Sequence, residues 1–276
     1  YKNLIGFKGN IICGNINNKN DLMLLNDYKF DYIFHQAAIS DTRLYNQELV
    51  MRTNVNAFND ILKIAKKNNS ITIYASSAAT YGSLPAPQTI GLESPENPYG
   101  YSKYMMDKMA SYFAILNPSL LIIGMRFFNV YGPREFYKAK TASMVIQLAH
   151  QILDGKNPIL FKNSNKIFRD FIYIDDVVQA NIKACKSKNI SNHEIYNVGT
   201  GESRSFQDVS NILQSELGTS FKNKYIQNPY NGYQSNTQAD ITKTRENLGF
   251  EPNFSLESGI NSYINEIKRV HGSENS

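Results

Sequence analysis

Apolar runs that alternate with helical patterns are the feature that most constrains how this chain can fold. The runs ITIYASS (71–77) and SLLIIGMRFFNVYG (119–132) are rich in β-branched and aromatic residues and are nearly free of charge. Segments 56–68 and 104–116 place apolar residues near the helical period. Strands buried on both faces read as continuous apolar runs, and strands that alternate with helices form crossover units. The sequence therefore predicts an α/β fold with a doubly wound parallel sheet.

The same alternation continues through the rest of the chain. Segment 168–185 is predicted to be a strand that runs into a helix, with Asp175 or Asp176 as the N-cap. The other predicted elements are a strand at 30–38, a helix at 141–158, a strand, Gly turn and helix at 195–217, and a terminal helix at 255–270.

The opening of the chain does not fit a complete nucleotide-binding sheet. Such a sheet begins with a strand, a Gly-rich turn and a helix, where a pyrophosphate binds. Residues 1–18 contain no G-x-G-x-x-G motif and already resemble a later strand. We therefore expect the first strand–Gly loop–helix to be absent from this chain, as part of a strand–helix–strand unit of about 30 residues or more.

Composition excludes several classes of function. With 276 residues and 42% hydrophobic content, the chain can bury one large core, with or without a small lobe. It has no apolar segment of the length that a membrane span needs. The net charge of +5 comes from scattered lysines, whereas nucleic-acid binding favours a basic stripe. We expect neither a membrane nor a nucleic acid as a partner, and a phosphate-bearing small molecule agrees with the mild positive charge.

Cysteine and histidine usage gives no sign of a metal. The two cysteines, Cys13 and Cys185, are far apart, and the four histidines lack ligand spacing. His35 ends an apolar strand and is interpreted as a buried core residue. These features predict a cytoplasmic protein without a metal site.

Two short motifs point to chemistry at an alcohol. Tyr99 and Lys103 share one face at the start of a helix, where an ammonium lowers the pKa of a phenol and prepares it to move a proton. Ser76 and Ser77 stand at the end of an apolar strand, where ligands of open α/β sheets bind. Y-x-x-x-K alone is common, but its combination with a strand-end serine is specific.

Six motifs in order make the chain resemble a known family. They are HQAA (35–38), YASSAATYG (74–82), YGYSK (99–103), RFFNVYGPRE (126–135), RDFIYIDDVVQA (169–180) and YNVGTG (196–201). Together they resemble the extended short-chain dehydrogenases/reductases that act on nucleotide sugars. The subfamily that the chain most resembles is that of the ADP-L-glycero-D-manno-heptose 6-epimerases, on the evidence of segments 131–145, 160–171 and 232–240.

The resemblance implies two lobes and a set of catalytic roles. A Rossmann-like domain is expected at 1–133, to which strands at 168–185 and 195–201 return. A smaller C-terminal α/β substrate lobe is expected at 134–167 and 202–276. Ser77 would polarise the reacting oxygen, Tyr99 would be one acid/base, Lys103 would hold the nicotinamide ribose, and Lys138 would be the second acid/base.

The resemblance also implies binding residues. The expected cofactor is tightly bound NADP. NAD is the alternative, because the residues that choose between the two should follow the second strand, which is expected to be missing. The cofactor residues would be Gln36, Ala37, Ala38, Ile39, Ser40, Lys19, Asn54, Tyr99, Lys103, Val130 and Lys138. The substrate residues would be Ser77, Asn129, Lys140, Gln147, Phe161, Lys162, Asn163, Ser164, Arg169 and Tyr233.

The expected reaction inverts carbon six of the heptose in an ADP-sugar, for the lipopolysaccharide core, by transient oxidation and reduction. Relatives self-associate, so a homo-oligomer is expected. The alternatives are another nucleotide-sugar 4-epimerase or dehydratase, or a non-catalytic nucleotide-sensing homologue. A 4,6-dehydratase usually has an acidic residue after the strand-end serine, which SSAAT (76–80) lacks. A UDP-sugar 4-epimerase needs no base at Lys138, and the intact Ser77, Tyr99 and Lys103 argue against a non-catalytic protein.

Overall fold

The parallel sheet that the sequence predicts is confirmed by the computed structural model, which describes residues 2–4, 6–187, 190–229 and 234–272. The strands are β1 Tyr32–His35, β2 Ile71–Ser77, β3 Ile122–Phe127, β4 Asn129–Tyr131, β5 Ile159–Phe161, β6 Phe168–Tyr173, β7 His193–Val198, β8 Ser203–Ser205 and β9 Lys224–Ile226. The main sheet has the order β1-β2-β3-β7, and all of its strands are parallel. A second group pairs β4 with β6 in parallel and β6 with β8 antiparallel, and β5 pairs with β9.

The helices occur between these strands, as the alternation predicts. They are α1 Lys19–Met23, α2 Gln47–Met51, α3 Ala57–Asn68, α4 Pro98–Leu116, α5 Met144–Leu153, α6 Ile174–Lys186, α7 Phe206–Leu217, α8 Thr242–Leu248 and α9 Leu256–Gly272. A π-helical turn at Arg52–Asn56 joins α2 to α3, and short 3₁₀ turns occupy Lys2–Leu4, Ala78–Tyr81, Phe136–Thr141 and Ser164–Lys166.

Both faces of the main sheet are covered, which makes the sheet doubly wound. On one face, Tyr74 and Ile122 pack against Phe58 of α3 and Met106 of α4. On the other face lie Ile73 and Ile123, with α6 and α8 packed over them. Successive strand side chains point to opposite faces, so one apolar run supplies both cores.

A separate apolar core lies beyond the main sheet. Helices α5, α7 and α9 meet there, and Leu148, Leu213, Ile260 and Ile267 are its fully buried centre. Most of this core falls within the segments assigned above to the substrate lobe. The division into two lobes stays a prediction.

Two local predictions are wrong. Helix α6 begins at Ile174 after an extended Tyr173, so neither Asp175 nor Asp176 is its N-cap. The Asp176 carboxylate instead accepts hydrogen bonds from residues 253 and 254, and no local pattern encodes that distant use. Residues 6–18 also contain no strand, because no strand of the described chain pairs with them.

Two features are absent from the residues that the structure describes. No helix there combines the length and apolarity that crossing a bilayer requires. The same residues contain no cluster of three or more His, Cys, Asp or Glu side chains that could hold a metal ion.

The neighbouring carboxylates of α6 provide a test of this packing. Asp176 is fully buried and accepts hydrogen bonds from Asn253 N, Asn253 Nδ2 and Phe254 N, at 2.9, 3.1 and 3.1 Å. We expect Asp176→Ala to lower the free energy of unfolding by about 2–4 kcal/mol, because buried donors are left without an acceptor. Asp175→Ala is the matched control, since Asp175 is exposed in the same helical turn and its loss removes only about 0.3–1 kcal/mol of charge–dipole energy. Urea unfolding measures both, and equal losses would contradict the assignment.

Candidate active site

The structure brings Ser77, Tyr99 and Lys103 together at the carboxyl end of β2. Helix α4 starts with Asn97, whose side chain accepts a hydrogen bond from Gly100 N, and with Pro98 in its first turn. Gly100 lies against the turn that follows Ser77, where an added Cβ would lie 2.4 Å from the carbonyl oxygen of Ala79. This contact requires glycine and places the first turn of α4 beside the end of the strand.

The backbone around Ser77 fixes its position, and its hydroxyl group can still donate a hydrogen bond. It is the last residue of β2, and its side chain accepts a hydrogen bond from Ala79 N at 3.1 Å. Its carbonyl accepts a hydrogen bond from the Thr80 hydroxyl at 2.8 Å. Because the Ala79 amide uses only an acceptor lone pair, the hydroxyl proton of Ser77 is available to a neighbouring oxygen.

Lys103 is buried and reaches back to the strand. Its side chain is 2% exposed, and Nζ donates a hydrogen bond to the carbonyl of Ala75 at 2.7 Å. Burial lowers the pKa of Lys103 to about 8, and the Asp107 carboxylate raises it in part. Burial and the Lys103 charge also lower the pKa of His35 to about 4, so His35 is neutral beside the ammonium.

Tyr99 differs from the sequence-based prediction in one respect. Lys103 was expected to lower the pKa of this phenol, but burial raises the pKa, and a hydrogen bond with the Ser77 side chain lowers it only in part. Lys103 Nζ lies 5.9 Å from the centre of the Tyr99 ring while it bonds to Ala75. The phenol is therefore neutral at neutral pH and can donate its proton in a hydrogen bond.

A buried ion pair underlies this group of side chains. Arg126 of β3 donates hydrogen bonds from Nε and Nη2 to Asp107 Oδ2 at 3.1 and 2.7 Å, and Nη1 contacts Glu93 at 2.6 Å. Asp107 also accepts hydrogen bonds from the hydroxyls of Tyr74 and Ser76. Asp107 follows Lys103 by one turn of α4, so the pair ties α4 to both β2 and β3.

Asn54 joins the loop after β1 to the first turn of α4. It is fully buried in the π-helical turn, a geometry common at functional sites. Its Oδ1 accepts a hydrogen bond from Ile39 N at 2.8 Å, and its Nδ2 donates to Ile39 O and to the Ser102 hydroxyl. Ser102 in turn donates to the carbonyl of Tyr99 at 2.7 Å. Asn54 therefore fixes the backbone of the predicted cofactor loop.

The other predicted cofactor residues are spread along this edge of the sheet. Gln36, Ala37 and Ser40 are exposed just beyond β1, while Ala38 and Ile39 are half-buried. Lys19 begins α1 and is exposed, and Val130 lies in β4 against the core beneath the sheet.

Lys138 is carried by the segment that follows β4. It lies exposed in the 3₁₀ turn Phe136–Thr141, and its backbone N donates to the carbonyl of Glu135 at 2.9 Å. The side chain of Lys140, in the same turn, lies outside what the structure describes. Since β4 begins two residues after the end of β3, this segment leaves from the same edge of the sheet as Ser77.

The predicted substrate residues fall into two places. Asn129 is half-buried at the start of β4, which begins just beyond the carboxyl end of β3. Arg169 of β6 is 6% exposed, and its guanidinium donates to the carbonyls of Phe168 and Gln234, both at 2.7 Å. Gln147 of α5 donates to the carbonyl of Ala142. The structure thus gives Arg169 and Gln147 contacts within the protein in addition to their predicted role.

The remaining predicted residues lie in β5, in the turn that follows it and in a neighbouring cleft. Lys162 and Asn163 border an open cleft of about 580 Å³, together with Asn165, Gln207, Tyr225 and Gln227. Phe161 ends β5, and Ser164 is buried in the following turn. Tyr233 lies outside the described residues.

Sequence reasoning missed the residues that support the site. Asp107, Arg126 and the buried Glu135 have no catalytic motif of their own. Arg126 stands as a charge within an apolar strand, and Asp107 follows Lys103 by four residues in the same helix. Those two positions were available signals, whereas the partners of Glu135 become visible only in three dimensions.

Comparison with known proteins identifies the family of this chain. A model of the NAD dependent epimerase/dehydratase family matches residues 3–199. The ADP-L-glycero-D-manno-heptose-6-epimerase of Helicobacter pylori is 48% identical, with a TM-score of 0.88 over 97% of this chain and 82% of that chain. The UDP-glucose 4-epimerase of Thermotoga maritima, solved with UDP-glucose, is 26% identical, with a TM-score of 0.85 over 93% and 84%. The UDP-glucuronic acid 4-epimerase of Bacillus cereus, solved with UDP-glucuronic acid and NAD, is 26% identical, with a TM-score of 0.79 over 95% and 81%.

A comparison of substitutions at Asn54 and at Asn56 tests the role of the Asn54 side chain. Asn54→Asp keeps an acceptor for Ile39 N but sets an oxygen against the Ile39 carbonyl, so we expect a loss of about 1–3 kcal/mol in unfolding free energy and faster amide exchange at Ile39. Asn56→Asp is the control, because Asn56 is exposed in the same turn. Hydrogen exchange and urea unfolding measure the two effects. Unchanged exchange at Ile39 in Asn54→Asp would show that the amide does not hold this loop.

The buried Lys103 predicts a pH dependence of stability. Its pKa falls from 10.5 to about 8 on folding, so the unfolded chain binds the extra proton between these values. Relative to Lys103→Met, the wild type should gain stability as pH rises from about 8 to 10.5, by up to about 1.4 kcal/mol per pH unit. Below pH 8 both states are protonated and the difference should be constant. Urea unfolding across this range measures it, with exposed Lys108→Met as the control. A constant difference above pH 8 would contradict the desolvation of Lys103.

Proposed function

Because the chain belongs to the NAD dependent epimerase/dehydratase family, we propose that it is an epimerase that inverts carbon six of the heptose in ADP-D-glycero-D-manno-heptose. The product is ADP-L-glycero-D-manno-heptose, a precursor of the lipopolysaccharide core. The observation that carries the substrate assignment is the 48% identity to the Helicobacter pylori heptose epimerase over 97% of this chain.

The arrangement at the end of β2 supports chemistry at a carbinol. A nicotinamide dinucleotide, when bound, supplies the acceptor and donor of a hydride. Tyr99 moves a proton between its phenol oxygen and the sugar oxygen, and Ser77 donates a hydrogen bond to that oxygen. The Lys103 ammonium would bind ribose hydroxyls, and a positive charge beside the phenol favours the phenolate of Tyr99.

Inversion gives a reason for a second acid/base. The hydrogen must return to the opposite face of the ketone, so the sugar oxygen points in different directions in the two epimers. A single fixed phenol serves one of these poses. Lys138, on the segment that leaves the same edge of the sheet, would handle the proton in the other pose.

The residues present fit a dinucleotide. The small side chains of Ala37 and Ala38 leave the backbone after β1 open, and the two hydrogen bonds from Asn54 to Ile39 fix its shape. This loop lies at the carboxyl end of a parallel strand, where such ligands bind. A nicotinamide cofactor is further supported by a relative solved with NAD, and NADP is the finer part of the proposal.

A UDP-sugar 4-epimerase is the second candidate, supported by the likeness to the Thermotoga maritima enzyme. The two candidates differ in their use of Lys138. Carbon four lies in the ring, and the family resemblance implies that a UDP-sugar 4-epimerase needs no base at Lys138. A requirement for Lys138 therefore favours the heptose reaction.

The test uses the protein with its natural N-terminus and follows ADP-D-glycero-β-D-manno-heptose by proton NMR, with no added cofactor and with NADP or NAD. We expect the L-glycero epimer to appear, and we expect Tyr99→Phe and Lys138→Ala each to lower kcat by about 10²–10⁴-fold, because each removes an acid/base. Tyr101→Phe and Lys156→Ala are matched controls, since both side chains are exposed, and should keep near-wild-type rates.

Two results would reject the proposal. No epimer with either cofactor would exclude the heptose reaction, and UDP-, GDP- and dTDP-sugars would then be assayed. Full activity in Lys138→Ala would exclude the second acid/base.

A further inference from the structure

Glu135 is a residue of segment 132–143, which also carries Lys138, and its carboxylate is buried. It is 6% exposed, although Arg134 before it and Tyr137 and Lys138 after it are exposed. Burying a carboxylate is costly unless hydrogen bonds and charges compensate, so a buried Glu next to a surface turn has a structural reason. None of the motifs described above assigns it a role.

The hydrogen bonds of Glu135 join the two ends of this segment. Oε1 accepts from the backbone N of Gly132 at 3.3 Å and from the Ser143 hydroxyl at 2.7 Å. Oε2 accepts from the backbone N of Ser143 at 2.7 Å. The carbonyl of Glu135 accepts from the backbone N of Lys138. One residue therefore contacts the start, the end and the functional position of segment 132–143.

The backbone between these contacts is strained. Arg134 and Ala139 have φ of 72° and 48°, and Ala139 has ψ of −121°. Side chains other than glycine rarely adopt this region, and such residues persist only where the surroundings hold them. Arg134 is held by Glu266, whose carboxylate accepts its backbone N–H at 2.7 Å. Ala139, next to Lys138, is exposed and depends on the closure of the segment at 132 and 143.

The electrostatic environment of Glu135 agrees with a carboxylate that acts as a clamp, that is, one that holds the two ends of segment 132–143 together. Burial raises its pKa, while the contacts from Ser143 and Gly132 and the charge of Lys138 lower it. Tyr263 of α9 is fully buried beside it, and burial together with the Glu135 charge raises the pKa of that phenol. The carboxylate is thus packed against Tyr263 of α9.

We infer that Glu135 is a positioning residue that acts through Lys138, by closing segment 132–143 so that the ammonium is presented to the substrate oxygen. This inference rests on the proposed function, in which Lys138 is the second acid/base. A long lysine side chain on an unclamped turn would sample many positions, and a displacement of about 1 Å of a reacting group can cost about 10²-fold in rate.

The test is a double-mutant cycle on the full chain. Glu135→Ala should lower kcat for epimerisation by about 10- to 100-fold. In the Lys138→Ala background the same substitution should change kcat by less than about twofold, because residues that act through one another are not additive. Equal effects in both backgrounds would overturn the inference and leave Glu135 as a residue of stability alone.

A conservative variant and a matched control sharpen the cycle. Glu135→Gln keeps an acceptor for Ser143 N and a donor for the Ser143 hydroxyl but opposes Gly132 N–H, so its rate should lie between those of wild type and Glu135→Ala. Glu257→Gln removes an exposed carboxylate of α9 that pairs with Arg204, and it should leave kcat unchanged. A Glu135→Gln rate no better than that of Glu135→Ala would count against the geometry described.

A second measurement is independent of the substrate. Hydrogen exchange of peptides covering 133–142 should be faster in Glu135→Gln than in wild type, while peptides of β2 and β3 exchange alike. If wild type does not epimerise the heptose but this segment loosens, the proposed function fails and the clamp stands. If exchange in 133–142 is unchanged, the clamp fails whatever the activity.

Discussion

The ion pair between Arg126 and Asp107 is the interaction on which the candidate site depends. Arg126 lies in β3, Asp107 lies in α4, and the hydroxyls of Tyr74 and Ser76 bring β2 to the same carboxylate. A buried pair of this kind contributes little net stability, because desolvation offsets the attraction, but it tolerates few alternative arrangements. The ion pair therefore fixes the position of α4 relative to β2 and β3. Ser77 follows Ser76, and Lys103 precedes Asp107 by one turn, so fixing the pair fixes the distance between the strand-end hydroxyl and the helix.

Burial then decides the protonation of the site. Lys103 loses water on folding, which moves its pKa toward neutrality, and the same desolvation keeps Tyr99 protonated. The sequence indicates the pairing of a phenol and an ammonium at helical spacing, but it does not indicate how much water remains around them. The expectation that Lys103 lowers the pKa of Tyr99 was wrong because desolvation of the phenol raises that pKa. In addition, Lys103 is turned to the carbonyl of Ala75.

What the sequence predicts well is whatever depends on neighbours along the chain. Strand β2 occurs at its predicted bounds, and the Y-x-x-x-K spacing places Tyr99 and Lys103 on one helical face. What it misses depends on residues far away in the chain. Asp176 was interpreted as a helix start, yet its carboxylate binds residues 253 and 254, and a helix cap and a long-range acceptor look alike in sequence. Glu135 reads as one more polar residue after a turn until Ser143 closes on it.

The two proposed acid/bases are held by different means, and the difference follows from their tasks. Tyr99 lies in the first turn of a long helix, which strand β2, Asn54 and the ion pair fix from three sides. Lys138 lies on a short turn that must also leave room for a sugar to enter and to change its pose, so it cannot be packed in the same way. A carboxylate below the turn solves this conflict, because Glu135 holds the backbone at both ends and leaves the lysine side chain exposed. In the proposed reaction the helix would supply one fixed proton position, and the clamped turn would supply the second without closing the entrance.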